Sequence, residues 1–173
     1  MKTRKIMKNG KQNNFNFLRF FAASLVLFSH SFPLYGISEK EPLTVVSGYE
    51  SIGGISVAIF FVISGFLIGK SWIERPYFFV FVWNRILRIF PGLIATVLFA
   101  ILVVGPITTS LDLYSYFHNQ KTIDYAKNIW MFPMTFNLPG VFDNNPYKNA
   151  VNGSLWTLPM EILMYIGIMI VGY

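Results

Sequence analysis

The sequence predicts an all-α, polytopic integral membrane protein with about four transmembrane helices, one interfacial helix, and one re-entrant or interfacial segment. Hydrophobic residues make up 54% of the 173 residues and charged residues only 13%, whereas soluble domains carry about 25% charged residues. The apolar residues are gathered in runs that are long enough to cross the ~30 Å hydrocarbon core of a bilayer. The chain has no cysteine, which excludes disulfide and thiolate chemistry.

The first element is a basic tail, residues 1–14, followed by an apolar helix expected at residues 16–34. Five of the 14 Lys and Arg residues lie within the first eleven positions, so the net charge of +6 indicates membrane orientation rather than nucleic-acid binding. A basic start before an apolar run also resembles a signal peptide. Arg19 interrupts that run, however, and no small-residue cleavage site lies near Pro33. We therefore expect a retained helix in the inner (plasma) membrane, with a cytoplasmic amino terminus.

The second span is predicted at residues 52–69. The segment before it, residues 37–51, holds three glutamates and one lysine, a net negative charge that is typical of an outside loop. Gly65 and Gly69 form a small-xxx-small pair, which in membrane helices favours the close approach of a neighbouring helix. Helix packing is the preferred interpretation of these two glycines.

An interfacial helix and the third span are predicted next. Residues 70–88 hold four basic side chains and one glutamate, so this connection is expected inside. Residues 77–90 mix aromatic side chains with two arginines, which is typical of a helix lying among the headgroups. Pro91 and Gly92 are expected to bend the chain into a span at residues 93–107.

The rest of the chain is predicted to form an outside connection and a fourth span. Residues 108–153 balance three aspartates against three lysines. Within them, residues 129–141 are aromatic, broken by prolines and too short to span, so a re-entrant or interfacial segment is expected. The fourth span is predicted at residues 155–173.

Two polar side chains stand out in the first span. Arg19 and His30 are eleven positions apart, which on an α-helix brings them to within ~20° of one face and ~16 Å apart along the axis. A charge in an apolar span is unfavourable and usually faces a cavity or a partner helix. Arg19 could instead reach the headgroups, and His30 could simply bind a loop. Their common face favours a functional pair, with His30 as a general base.

Three more charged side chains are candidates for function. Arg85 and Arg88 lie on one side of the predicted interfacial helix, and their guanidinium groups suit phosphate recognition. The alternative is that they only satisfy the positive-inside rule. Glu161 follows Pro159 near the start of the fourth span, where the helix dipole stabilises a carboxylate. The functional alternative is an acid that faces a cavity and orients His30 or binds a hydroxyl.

Four segments, in this order, resemble the acyltransferase family 3 membrane proteins, which O-acylate sugars of cell-envelope polysaccharides. The segments are LRFFAASLVLFSH, GGISVAIFFVISGFLIG, RILR followed by Pro91, and GSLWTLPMEILMY. The first holds the R-x10-H motif of Arg19 and His30, and the last matches W-x4-E-x3-Y. The resemblance covers nearly all of the chain after residue 14.

The resemblance implies a cytoplasmic acyl-CoA donor, with acetyl as the expected acyl group, and transfer across the membrane to a glycan or lipid-linked saccharide hydroxyl. It implies His30 as the catalytic base, with Glu161 as its partner in the site. Arg19, Arg85 and Arg88 would bind acyl-CoA. By the same resemblance Trp156 and Tyr165 would contact the substrate, while Ser64 and Gly65 would be structural.

Members of this family usually have about ten spans, so residues 15–173 are expected to be the amino-terminal part of an acyltransferase domain. A second chain could supply the missing helices. A catalytically inactive fragment or partner subunit is the first alternative. A small transporter is the second, which the lack of charges in spans two and three disfavours. The two histidines lie outside any metal-binding motif, so no metal site is expected. No tightly bound cofactor is expected beside the acyl-CoA co-substrate, and no nucleic-acid partner, because the excess positive charge lies in the basic tail.

Overall fold

The computed structural model describes residues 14–74, 76–148 and 150–171, and in these ranges the chain is helical without named strands. Short 3₁₀ turns lie at Ser38–Lys40, Lys127–Trp130 and Gly153–Trp156. The α-helices are α1 (Phe15–Leu34), α2 (Pro42–Ser47), α3 (Ile52–Glu74), α4 (Phe78–Phe99), α5 (Gly105–Thr108), α6 (Leu113–Phe117), α7 (Gln120–Ala126) and α8 (Thr157–Val171).

Four helical stretches of the described chain are long and apolar enough to cross a membrane, which confirms the predicted fold class. They are Phe15–Leu34, Ile52–Glu74, Phe78–Thr108 and Gly153–Val171. The first, second and fourth begin within two residues of their predicted starts. Helix α1 packs along α3, and α8 also contacts α3.

The prediction of a separate interfacial helix at residues 77–90 is wrong. Helix α4 continues through Pro91, and a π-helical stretch, Ala100–Val104, joins it to α5 without a break. Prolines are tolerated inside transmembrane helices because neighbouring groups satisfy the freed carbonyl. At 1.5 Å per residue the 31 residues extend about 46 Å, so the ends of this helix reach beyond a ~30 Å hydrocarbon core. Arg85 and Arg88 therefore belong to a spanning helix.

The helix–helix contact expected at Gly65 and Gly69 is also absent from the described part of the chain. A Cβ atom added at either glycine would meet nothing within 4 Å. Both glycines instead line a cavity of about 560 Å³ with Gly167 of α8. The close contact of α3 lies at Gly53, where an added Cβ would come within 2.8 Å of the Ser29 hydroxyl on α1.

Glu41 fixes the geometry of the loop between α1 and α3. Its carboxylate is buried and accepts hydrogen bonds from the amide and hydroxyl of Thr44, at 2.8 and 3.0 Å, and from the amide of Ile52 at 2.8 Å. Burial raises the pKa of the Glu41 carboxyl, but these hydrogen bonds outweigh burial and hold the pKa below its usual value. One carboxylate thus caps α2 and the start of α3.

The connection between α5 and α8 is a folded unit around buried tyrosines. The Tyr116 hydroxyl donates to the carbonyl of Ile101 at 3.1 Å. The Asn128 side chain donates to the carbonyl of Thr135 at 2.6 Å and accepts from its amide at 2.8 Å. Residues 131–141 contribute buried side chains to the core that includes α4, so this proline-containing segment packs on the helices without being helical. That it is re-entrant or interfacial in a membrane stays a prediction.

Candidate functional site

A cavity of about 610 Å³ lies between α1, α3, α4 and α8. Its wall combines apolar side chains with a few polar and charged ones, a combination typical of small-molecule sites. The lining residues are Arg19, Ala23, Val26, Leu27, His30, Val57, Phe60, Phe61, Ser64, Arg88, Ser154, Thr157, Glu161 and Met164.

Arg19 and His30 both line this cavity, which confirms that they share one face of α1. His30 is exposed at the cavity wall near the Leu34 end of the helix, and Arg19 is half-buried near the Phe15 end. The Nη2 atom of Arg19 is buried without a hydrogen-bond partner in the described part of the chain. A buried guanidinium nitrogen without a partner is unfavourable, so an anionic ligand bound here would stabilise it.

Glu161 is the carboxylate of the site, and its contacts differ from those expected. Its Oε1 accepts a hydrogen bond from the Tyr165 hydroxyl and lies 3.9 Å from Nε of Arg88. Among the described contacts of Glu161 there is none to His30, although both side chains line one cavity. That Glu161 orients His30 or binds a hydroxyl stays a prediction. Because Arg88 is the cationic neighbour, the carboxylate pairs with α4.

Arg85 and Arg88 have different surroundings although they are one turn apart. Arg88 lines the main cavity, its side chain 43% exposed. Arg85 lies over two aromatic rings, with its guanidinium carbon 5.3 Å from the Phe81 centroid and 5.6 Å from the Tyr165 centroid. It lines a smaller apolar cavity of about 170 Å³ between α4 and α8. The structure thus brings Arg88, but not Arg85, to the wall shared with Arg19 and His30.

Trp156 and Tyr165 do not line the main cavity, but each contacts a residue that does. Trp156 packs against Phe61, a lining residue, with the ring centroids 6.4 Å apart. Tyr165 is only 4% exposed and reaches the cavity through its hydrogen bond to Glu161. Direct substrate contact by either side chain stays a prediction.

Ser154 and Thr157 are lining residues that the sequence analysis did not select. Thr157 and Glu161 are four positions apart on one face of α8, and Ser154, three positions before Thr157, lies in the 3₁₀ turn that precedes this helix. That spacing within an apolar span is the signal that could have found them. The same three residues and Arg88 also line a neighbouring cavity of about 360 Å³ between α4 and α8. The pair of Arg88 and Glu161 therefore stands between the two cavities.

Comparison with known proteins matches this chain to one protein family and to two curated relatives. A family described as an acyltransferase domain matches residues 12–171. An O-acetyl transferase of Shigella phage Sf6 is 37% identical over 158 residues, which cover 90% of this chain and 44% of the relative. Nodulation protein 10 of Rhizobium leguminosarum bv. viciae is 35% identical over 162 residues, covering 91% and 43%. The chain spans less than half of the length of these curated relatives, and no solved structure matches it.

Proposed function

This chain belongs to acyltransferase family 3, and from that premise we propose that it acts in acyl-CoA-dependent O-acyl transfer. The donor would be acetyl-CoA or a related acyl-CoA on the cytoplasmic side, and the acceptor a hydroxyl of a cell-envelope glycan on the outer side. The observation that carries the proposal is the meeting of a base and two cations, from α1 and α4, at one cavity wall.

The reaction needs one base and one place for the phosphates. His30 takes the proton of the acceptor hydroxyl as its oxygen attacks the thioester carbonyl. The carbon–sulfur bond breaks, and the coenzyme A thiolate leaves and recovers that proton from the imidazolium. The products are an acyl ester and free coenzyme A, so atoms and charge balance without a metal or an oxidant.

The cations of the cavity support a phosphate-bearing donor. Arg88 and Arg19 line the same wall as His30, and guanidinium groups bind phosphates through charge-assisted hydrogen bonds. Arg19 lies about 16 Å from His30 along α1, a distance that an extended pantetheine arm can bridge. The phosphates would stay near the Phe15 end of α1 while the thioester reaches the Leu34 end.

The orientation that we propose follows from charge. The first eleven positions hold five Lys and Arg residues, while residues 37–51 hold three glutamates and one lysine. Positive segments stay in the cytoplasm, so the Phe15 end of α1 faces the cytoplasm of the inner membrane. His30 then lies toward the side on which the glycan is modified.

Deleting the gene should remove alkali-labile acyl esters from the envelope glycan, and wild-type protein expressed from the native locus should restore them. Mass spectrometry of purified glycan before and after mild alkali measures the esters. Ester content unchanged by the deletion would contradict the proposed function and favour a non-catalytic partner protein.

A further inference from the structure

Tyr165 is linked to both arginines of α4, to Arg88 through Glu161 and to Arg85 by its ring. Its hydroxyl donates to Oε1 of Glu161, the atom that lies 3.9 Å from Nε of Arg88. The guanidinium carbon of Arg85 lies 5.6 Å from the centroid of its ring. Phe81 completes this arrangement with its ring edge-on to Tyr165, the centroids 6.4 Å apart. One side chain of α8 thus holds Arg85 by its face and Arg88 by its hydroxyl, through Glu161.

From this geometry we infer that Tyr165 is a positioning residue that fixes the Arg88 guanidinium toward the cavity for binding the donor phosphates. The inference rests on the proposed function and replaces the expected substrate contact by Tyr165. Tyr165 is 4% exposed and is not a lining residue of the main cavity. It therefore acts on a ligand through Glu161 and Arg88.

The physical reason lies in the flexibility of arginine. Its side chain carries about 2 kcal/mol of rotamer entropy, part of which is lost when it binds a phosphate. Contact of Glu161 at Nε restrains the side chain and leaves the two terminal nitrogens of Arg88 for a phosphate. The Tyr165 hydroxyl in turn fixes the Glu161 rotamer. Restraint before binding increases affinity without a new contact to the ligand.

Arg85 is stabilised by different contacts from those of Arg88. Its Nε is buried and has no hydrogen-bond partner among the described residues, and the two aromatic rings stabilise its charge through cation–π contacts. The Tyr165 ring is one of these two rings. Removing the hydroxyl alone should therefore disturb Arg88 and leave Arg85 in place.

The test compares Tyr165→Phe with wild type in membranes from cells that express the gene at its native locus. Tyr165→Phe should raise the KM for acetyl-CoA by about two- to twelvefold, the range for one net hydrogen bond, with kcat nearly unchanged. Tyr125→Phe is the matched control, because the Tyr125 hydroxyl is buried without a hydrogen-bond partner in the described chain. Its KM should equal that of wild type. Quantitative immunoblots correct all rates for protein level.

A double-mutant cycle separates positioning from general damage to the fold. If Tyr165 acts through Arg88, Tyr165→Phe should have no further effect on KM in an Arg88→Ala background. Equal effects in both backgrounds, or an unchanged KM in Tyr165→Phe, would overturn this inference while the proposed function stands. Wild-type membranes that transfer no acyl group from acetyl-CoA or from any other acyl-CoA tested would overturn the proposed function and this inference together.

Discussion

Replacing His30 with alanine should lower the rate of acyl transfer by about 10²–10⁴-fold, the usual contribution of a positioned general base. Acyl-CoA binding should remain close to wild type. An acceptor hydroxyl is a poor nucleophile until a base removes its proton during attack. His30 lies at the cavity wall near the Leu34 end of α1, away from Arg19, so its loss should not disturb the phosphates.

The His30→Ala measurement is a transfer assay with radiolabelled acetyl-CoA, at limiting and saturating donor, beside equilibrium binding on the same membranes. His118→Ala is the matched control. His118 is the second of the two histidines in the chain and stacks on Tyr114 in the connection between α5 and α8, with ring centroids 4.1 Å apart. It should keep the wild-type rate. Recovery of His30→Ala at excess donor would show that His30 binds the donor and is not the base.

Replacing Arg88 with alanine should have the second large effect, on donor affinity. Each lost charge-assisted hydrogen bond corresponds to about 1.5–3 kcal/mol, or roughly a 10- to 150-fold rise in the KM for acetyl-CoA. The rate of acyl transfer by Arg88→Ala at saturating acetyl-CoA should change much less. Arg88 lines the main cavity and is 43% exposed, so its terminal nitrogens can reach a ligand there.

Two further variants show whether the raised KM of Arg88→Ala comes from the loss of the Arg88 side chain itself. Arg88→Ala also leaves Glu161 without its cation, and an unpaired carboxylate in a span is unfavourable. The double variant with Glu161→Gln removes that charge and should keep the raised KM. Lys70→Ala is the control, since Lys70 pairs with Glu74 at 3.7 Å on the exposed end of α3. A KM unchanged in Arg88→Ala, with a collapsed maximal rate, would contradict donor binding by Arg88.

Helix periodicity predicted the part of the site that lies on one element. The common face of Arg19 and His30 follows from 3.6 residues per turn, and the structure confirms it. The same rule places Thr157 and Glu161 on one face of α8, with Ser154 in the 3₁₀ turn just before it. The pairing of Glu161 with Arg88 could not be predicted in this way, because it joins two helices that are far apart in the sequence and depends on how those helices pack.

The two predictions that the structure contradicts each rest on a short local pattern of proline or glycine residues. Pro91 and Gly92 indicate a bend in water, but in a membrane helix the backbone tolerates them, and α4 continues. Gly65 and Gly69 indicated packing, yet they line a cavity. Small residues permit close approach without requiring it. In both cases the neighbouring helices, which the local pattern does not contain, decide the outcome.

The most direct test of the central claim asks whether acyl-CoA occupies the cavity that Arg19, His30 and Arg88 line. Because the chain has no cysteine, Ser64→Cys provides a single thiol in the cavity wall, and Ser38→Cys provides one in an exposed 3₁₀ turn outside it. The rate of modification by a small methanethiosulfonate is measured with and without saturating acetyl-CoA. The account predicts that acetyl-CoA slows modification of Ser64→Cys and leaves Ser38→Cys unchanged. An unchanged rate at Ser64→Cys, in membranes that still transfer acetyl groups, would contradict it.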